Sequence, residues 1–424
     1  MTNKPKQKVL VVGGGFAGLQ LVKSLRHDEI EITLLDQRNH HLFQPLLYQV
    51  ATSILPTSEI AWPIRHVLRR RKDVTTLLGT VTAVDSDAKR VHLADNSTLD
   101  YDILVLATGA RHSYFGNDEW ESAAPGLKTL EDATTIRRRL LTAFERAESA
   151  ASKAEREALL TFAIIGAGPT GVELAGIIVE LAHETLRPEF RNIDTREAKV
   201  ILVEAGPTVL PAFPDKLSNY TKAALESLGV TILTNQPVTE CTEQHIIAGE
   251  QKIPCRTVVW AAGVAASPAA MWLNAEADRA GRTMVNKDLS VPGLNNVFVI
   301  GDTAAVQQAN GDPVPGIAPA AKQQGQYVAR VIANRLNGKQ QQRDFKYKHA
   351  GNLATIGKGA AVVDLGRIQL SGTIAWWVWG IAHIYFLIGT RSRIAVAWSW
   401  LWSYLTGHNN ARLITQTNQD KKPT

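Results

Sequence analysis

Two short runs of this chain have the residue types and spacing to grip a dinucleotide phosphate: Gly13-Gly-Gly15-Phe16-Ala17-Gly18 and Gly166-Ala-Gly168-Pro169-Thr170-Gly171. Each follows a β-branched apolar stretch and opens a small-residue segment. In a G-x-G-x-x-G loop the first glycine permits a tight strand-to-helix turn. The second lets a pyrophosphate approach the backbone, and the third lets helix and strand pack closely. The phosphate then sits on the positive helix N-terminus. Downstream, each copy has a second apolar run ending in an acid, Asp36 (followed by Gln37) and Glu204, placed to accept bonds from ribose hydroxyls. Glu204 precedes Ala-Gly-Pro with no nearby arginine, so it disfavours a 2′-phosphate and favours NADH over NADPH; a solvated strand end is the bland reading.

The elements around these loops form an internal repeat. Each copy has a closing apolar run ending in glycine, at Thr108-Gly109 and at Ala262-Gly263. The loop-to-closing-glycine intervals nearly match, and a chance glycine loop would bring neither the acid nor the closing strand. We read the first copy as an FAD site and the second as a nested NADH site. A further apolar run ends in Gly301-Asp302, where Asp302 suits the ribityl hydroxyls or a helix N-cap. A helix predicted to begin at Ala318-Pro319 would point its positive end at the flavin; it would also pack as an ordinary core helix. The expected fold class is α/β, with two Rossmann-like dinucleotide-binding domains and a C-terminal amphipathic membrane-anchoring helical region. The expected boundaries are 1–118 and 289–345 for the FAD domain, 119–288 for the NADH domain and 346–424 for the anchor.

The 424 residues exceed what one core usually supports. There are two cysteines, Cys241 and Cys255, without a CxxC pair, which argues against a disulfide framework or an iron–sulfur or other metal site. The net charge is +6, with basic clusters at residues 65–72 and 137–139. These suit solvated helix faces or an anionic membrane surface; no basic motif interleaved with aromatics points to nucleic acid. The polar N-terminus lacks a signal-peptide core, favouring the cytoplasmic side of the inner (cell) membrane.

Six of the ten tryptophans fall between Trp376 and Trp402. Residues 374–390 carry no formal charge, and Arg391 and Arg393 precede a second apolar run, 394–406. Seventeen helical residues span about 26 Å, short of a hydrocarbon core of about 30 Å. Tryptophan prefers the interface. Two interfacial helices are therefore expected, with Ile394, Trp398, Leu401, Trp402 and Leu405 on one face and Ser399, Ser403 and Thr406 opposite. A true span and an oligomer interface are the alternatives, so a homodimer stays open.

Phe43-Gln44-Pro-Leu-Leu-Tyr48-Gln-Val-Ala51, Gly166–Gly176, Glu204-Ala-Gly-Pro, Trp260-Ala-Ala-Gly and the Trp-rich tail resemble the type II NADH dehydrogenases, within the glutathione-reductase-like flavoproteins. The resemblance covers nearly the whole chain. It implies a respiratory enzyme passing two electrons from NADH through FAD to a membrane quinone, without proton pumping. It implies a nicotinamide-side role for Glu173, whose bland reading is a favourable first-turn charge. It also implies a quinone site formed by Gln44, Ala318, Lys322 and Gln323, with Lys358 nearby as a cation for the quinone oxygen or merely a solvated turn lysine. Ala318–Gln323 is similar to the family's A-Q-x-A-x-Q motif, but Pro319 stands where the first glutamine is usual. Sulfide:quinone and disulfide reductases would need flavin-side cysteines. A soluble-acceptor reductase would leave the tail unexplained, and an FAD/NADH-binding redox sensor would turn over slowly with quinones.

Overall fold

The computed structural model describes residues 5–308, 310–339, 343–407 and 411–415; the polar start of the chain, residues 1–4, lies outside them. The chain divides into two compact units. The first comprises the segment up to Leu42, Ala61–Arg111 and Val264–Ala350; the second comprises Phe43–Ile60, His112–Gly263 and Gly351–Thr424.

The first unit is built on a six-stranded sheet in the order Ser290–Val291, Leu294–Val299, Ile103–Leu106, Gln7–Val12, Ile30–Asp36, Val74–Leu78. All neighbours are parallel except the first pair. Ile103–Leu106 is buried throughout, as is the stretch from Val9 to Val12. Parallel strands covered on both faces need such continuous apolar runs, which is why they do not alternate with polar residues. Helix Phe16–Ser24 packs on helix Ala318–Leu336. Gly325 makes this approach feasible, since a Cβ there would lie 2.2 Å from the Ala17 carbonyl oxygen. Within the first basic cluster Arg71 is buried. It donates to the Val22 carbonyl, to the Leu25 carbonyl at 2.8 Å and to Asp73, finishing the end of helix Phe16–Ser24.

The second unit repeats the plan. Its parallel sheet runs Val230–Leu233, Lys199–Val203, Thr161–Ile165, Thr257–Trp260. In both units the strand feeding the glycine loop lies between the acid-bearing strand and the closing strand. The repeat also extends to three-stranded antiparallel meanders, Val81–Asp85/Arg90–Leu93/Thr98–Asp100 and Val238–Cys241/His245–Ala248/Gln251–Pro254. Helix Leu130–Glu148 starts at a capping box: Thr129 Oγ1 accepts from Asp132 N at 3.1 Å, and the Asp132 carboxylate accepts from Thr129 N at 2.9 Å.

A third sheet in this unit, Asn352–Thr355/Ala361–Asp364/Gln369–Gly372, leads into helices Thr373–Phe386 and Thr390–Thr406. The second helix turns Ser392, Val396 and Ser403 inward, and Ser399 bonds the Glu59 carboxylate at 3.1 Å. Ile394, Trp398, Leu401, Trp402 and Leu405 point outward and are exposed, matching the expected split of faces. Arg393 donates to the Tyr385 and Leu387 carbonyls, closing the first helix. Among the described residues no helix is long and apolar enough to cross a membrane.

Candidate functional site

The two glycine loops have the same construction. A Cβ on Gly13 would meet the Ala107 carbonyl oxygen at 2.2 Å, and one on Gly18 would meet the Gly13 oxygen at 1.9 Å. In the second loop, a Cβ on Gly166 would meet the Ala261 carbonyl at 2.8 Å, and one on Gly171 the Gly166 oxygen at 1.9 Å. The outer glycines are thus fixed by the protein's own packing. The middle ones are different: a Cβ on Gly15 or Gly168 would have nothing within 4 Å. Glycine there is explained by something approaching from outside, which is what a pyrophosphate requires. Helices Phe16–Ser24 and Pro169–Glu180 begin at these loops without a side-chain cap, leaving their first N–H groups for an anion.

The two acids also match. Asp36 accepts from Gly14 N at 2.5 Å and Arg38 N at 2.7 Å. Glu204 accepts from Ala167 N at 2.7 Å and Gly206 N at 2.8 Å. Each carboxylate braces its own glycine loop and keeps lone pairs for a ribose. Burial raises the Asp36 pKa against these backbone bonds.

Around the first loop the structure adds a residue the sequence reading missed. His41 is buried and its Nδ1 bonds the Gly14 carbonyl at 2.9 Å, while Phe16 meets its ring edge-on. Burial drops its pKa to about 4, so the ring is neutral and its Nδ1 donates. Its Nε2 is buried without a partner among the described residues. A hydroxyl-bearing nucleotide would satisfy that acceptor, so the residues here fit FAD. Gly301 N donates to the buried Gln324 Oε1 at 2.6 Å, tying the Gly301-Asp302 turn to helix Ala318–Leu336. Thr108, Ser267 and Thr303 form a hydroxyl chain, with Ser267 Oγ 2.8 Å from Thr303 Oγ1, joining the closing strand to that turn. Pro319 falls in the helix's first turn and Ala318 at its start, as expected.

The residues expected at the quinone are placed as follows. In the first unit, the Lys322 ammonium lies 5.2 Å from the Phe16 ring centroid. Gln323 spends both ends of its amide on the Lys348 backbone, at 2.8 and 2.9 Å. In the second unit, Gln44 donates to the Lys128 carbonyl at 3.0 Å. Lys358 sits in the turn after strand Asn352–Thr355, and this turn lies against helix Pro169–Glu180 because residue 176 is glycine. A Cβ there would be 2.7 Å from Gly357 N. The Lys358 N–H donates to the Glu180 carboxylate, and its Nζ is 3.3 Å from Glu184 Oε2.

This turn forms one wall of a half-open cleft with about 470 Å³ of empty space, part of it open to solvent. Tyr48, Gln49, Ile177, Glu180, Lys358 and the rings of Trp376, Trp379 and Trp400 line it. Trp400 Nε1 donates to Gln49 Oε1 at 2.7 Å, and Gln49 donates to the Tyr48 hydroxyl at 3.1 Å. Trp379 Nε1 is buried and unpartnered among the described residues. A cleft walled by aromatic rings suits a flat ligand. The sequence signal for this cleft was divided: Tyr48 lies in the Phe43–Ala51 stretch, and the tryptophans belong to the tail that the sequence marks as an interfacial anchor, a span or an oligomer interface.

Glu173 is buried in the second turn of its helix, not the first, and accepts a backbone bond from Thr355. Burial raises its pKa well above the usual carboxylate range. Burial also raises Glu180 to about 7, partly offset by the Lys358 N–H and ammonium. Cys241 and Cys255 are free and buried in the second unit, with pKa values pushed by burial to about 11 and about 12. Such thiols are protonated and poor nucleophiles, which fits neither disulfide nor sulfide chemistry. Among the described residues no cluster could hold a metal ion.

The chain is similar to known proteins over nearly its whole length. The chain matches the family described as pyridine nucleotide-disulphide oxidoreductase over residues 7–325, and the NDH2 C-terminal domain over residues 349–409. It is 44% identical to a Mycobacterium tuberculosis protein named type II NADH:quinone oxidoreductase NdhA, over 94% of this chain and 87% of the relative. A second M. tuberculosis relative with the same descriptive name, Ndh, is 42% identical over 97% of this chain and 90% of its own length. The fold is similar to that of Plasmodium falciparum NDH2 solved with NADH, with a TM-score of 0.88, 21% identity, and coverage of 97% of this chain and all of the other.

Proposed function

The chain belongs to the type II NADH:quinone oxidoreductases, FAD-dependent enzymes that oxidise NADH and reduce a quinone, and we propose that its quinone is received in the tryptophan-lined cleft of the second unit. The observation carrying this reading is the cleft's combination of aromatic walls and the Lys358 turn.

When bound, FAD would supply the redox chemistry that links NADH oxidation to quinone reduction. The protein's part is to bind, orient and exclude water. Gly13, Gly15, Gly18 and Asp36 would hold the FAD pyrophosphate and ribose, with Phe16, Ala17, Gln37, Thr108, Gly109, Gly301, Asp302 and Ala318 around them. Gly166, Gly168, Pro169, Thr170, Gly171 and Glu204 do the same for NADH, with Ala262 and Gly263 from the closing strand. Glu204 selects NADH by repelling a 2′-phosphate. Glu173, its pKa raised by burial, offers a hydrogen bond to the nicotinamide carboxamide. Lys358 stabilises charge building on the quinone oxygen. None of Gln44, Lys322 and Gln323 lines this cleft: Gln44 holds the Lys128 carbonyl, Lys322 lies over Phe16 and Gln323 holds the Lys348 backbone.

The tail's outward face of Trp, Leu and Ile lies in a bilayer interface and brings the cleft to its lipid-borne substrate. Arg391 and Arg393, exposed at the start of the last helix, favour an anionic cytoplasmic leaflet, and electrons reach the quinone without proton pumping. The test is NADH oxidation by vesicle-bound protein with and without a short-chain quinone, with NADPH as control. Saturable quinone-dependent turnover, lost when Ile177→Trp fills the cleft, is expected. Full turnover in that variant would overturn the assignment.

A further inference from the structure

Reducing a quinone to a quinol takes two electrons and two protons, whereas NADH brings two electrons with one proton. The balanced reaction, NADH + H⁺ + quinone → NAD⁺ + quinol, draws one proton per turnover from water. A cleft walled by tryptophans needs a group to carry that proton inward.

Among the described residues, Glu180 is the carboxyl that lines the cleft. It ends helix Pro169–Glu180, one turn beyond Ile177 on the same wall, and is only 6% exposed. Glu184 follows four residues later across the π-helical turn Leu181–Thr185, with its side chain 60% exposed. Lys358 joins the two acids: its N–H bonds Glu180 and its ammonium is 3.3 Å from Glu184.

We propose that Glu180 delivers the water-derived proton to the quinone oxygen, and that Glu184 and Lys358 form the path by which it is refilled from solvent. This rests on the cleft being the quinone site. In the step, the carboxyl O–H bond breaks and its electron pair stays on Glu180. A new O–H bond forms on the quinone oxygen that has received negative charge from the two electrons. The Lys358 N–H and ammonium then hold the carboxylate until a proton from water, entering at Glu184, restores the acid. With a pKa near 7, Glu180 can give and regain a proton at neutral pH.

The other titratable groups near Glu180 suit this role less well. Glu173 on the same helix is buried and does not line the cleft. The Tyr48 hydroxyl is held well above its ordinary pKa by burial and by the neighbouring acids. His383, on helix Thr373–Phe386, is kept neutral with a pKa of about 4. His183 shares the π-helical turn with Glu184 but does not line the cleft, and Tyr404 lines it as a phenol, ordinarily a far weaker acid than a carboxyl. Helix Asp215–Leu228 turns inward Leu217, Ser218, Thr221 and Leu225, which do not titrate in the physiological range.

The test is rapid mixing of the full FAD-loaded protein in vesicles, following flavin reduction by NADH and then reoxidation by a short-chain quinone across pH. For the unsubstituted protein, reoxidation should slow as pH rises through about 7 and show a solvent deuterium effect. In Glu180→Gln it should be about 100-fold slower at neutral pH and lose its pH dependence. Ferricyanide, an acceptor that takes no proton, separates proton delivery from a folding defect, because a misfolded variant would lose both acceptors. Quinone reoxidation of Glu180→Gln at the unsubstituted rate and with the unsubstituted pH profile would overturn the proposal. If Ile177→Trp blocks quinone while Glu180→Gln does not, only the proton assignment fails. If Ile177→Trp leaves quinone reoxidation intact, the cleft itself is wrong.

Discussion

The bilayer face proposed for the last helix predicts a measurable membrane affinity. Trp398 is 62% exposed and Leu405 is 71% exposed. Fully burying such a side chain is worth about 1.5–3 kcal/mol, and each has roughly two-thirds of its surface still to bury. Replacing both with serine should therefore cost about 2–4 kcal/mol of bilayer partitioning. Taking about 3 kcal/mol, and 1.4 kcal/mol per tenfold change, the vesicle partition coefficient should fall by on the order of a hundredfold. The helix keeps its inward contacts through Ser392, Val396 and Ser403, so the fold should shift by only about 0.5 kcal/mol, as for most surface substitutions. Vesicle co-sedimentation over a lipid titration measures the partitioning, and thermal unfolding without lipid measures the fold. Flavin reduction by NADH in solution should persist while turnover with a long-chain membrane quinone drops. Unchanged vesicle binding would refute the reasoning and move these side chains to a protein interface. A large loss of stability without lipid would show that the face is not free.

Three further outcomes follow from the same coordinates. Gly18→Ala places a Cβ where the Gly13 oxygen stands and should yield protein with little flavin, whereas Gly171→Ala, equally crowded, should keep flavin and raise the NADH KM; flavin absorbance and stopped-flow reduction distinguish them. Glu204→Ala removes both the carboxylate that repels a 2′-phosphate and the brace on Ala167 N, so the NADH:NADPH ratio of kcat/KM should fall at least about tenfold, about 1.4 kcal/mol; an unchanged ratio would contradict its selective role. Glu180 has a folded pKa of about 7, raised from 4.5, so its stabilising contribution is full below about pH 4.5 and is lost as pH rises through about 7. Compared with Glu180→Gln, the unsubstituted protein should lose on the order of a few kcal/mol across that window in denaturant unfolding, and parallel pH curves would count against a buried acid.

What the sequence disclosed was local in the chain. Each glycine loop, its acid and its closing glycine can be read because the constraints act between neighbours or strand ends, such as Gly18 against Gly13 and Gly14 against Asp36. The meanders between the third and closing strands were not legible. Val81–Asp85 and Arg90–Leu93 are short and half-exposed, and their pairing is interrupted by a bulge between Val81 and Ala83. Nor did anything in the sequence mark residues 43–60 as part of the second unit. The last helix split clearly into faces because serines interrupt its apolar residues. Helix Thr373–Phe386 is apolar almost all round, so its sequence could not reveal that Trp379 turns inward while Trp377 faces out. That inward turn gives the same tail both an exposed apolar face and a cleft wall.

The cleft also shows why spacing along one helix deserves more weight than type alone. Glu173 and Glu180 are seven residues apart, two turns along the same face of helix Pro169–Glu180, and both are buried. Two inward carboxyls on a helix with no acid in its first turn cannot be explained by its dipole. Desolvation alone would penalise each as a charge by several kcal/mol, so each is retained either neutral or beside a partner. Thr355 supplies a backbone partner for the first, and the Lys358 turn supplies one for the second, brought close by Gly176. The glycine at position 176 is thus explained by an acid four residues later and a lysine 182 residues away in the chain. Substituting Gly176→Ala should push the Lys358 turn off Glu180 and slow quinone reoxidation, while leaving the glycine loop at residues 166–171 to bind NADH. Equal loss at both steps would mean that the turn supports the whole unit and not the cleft.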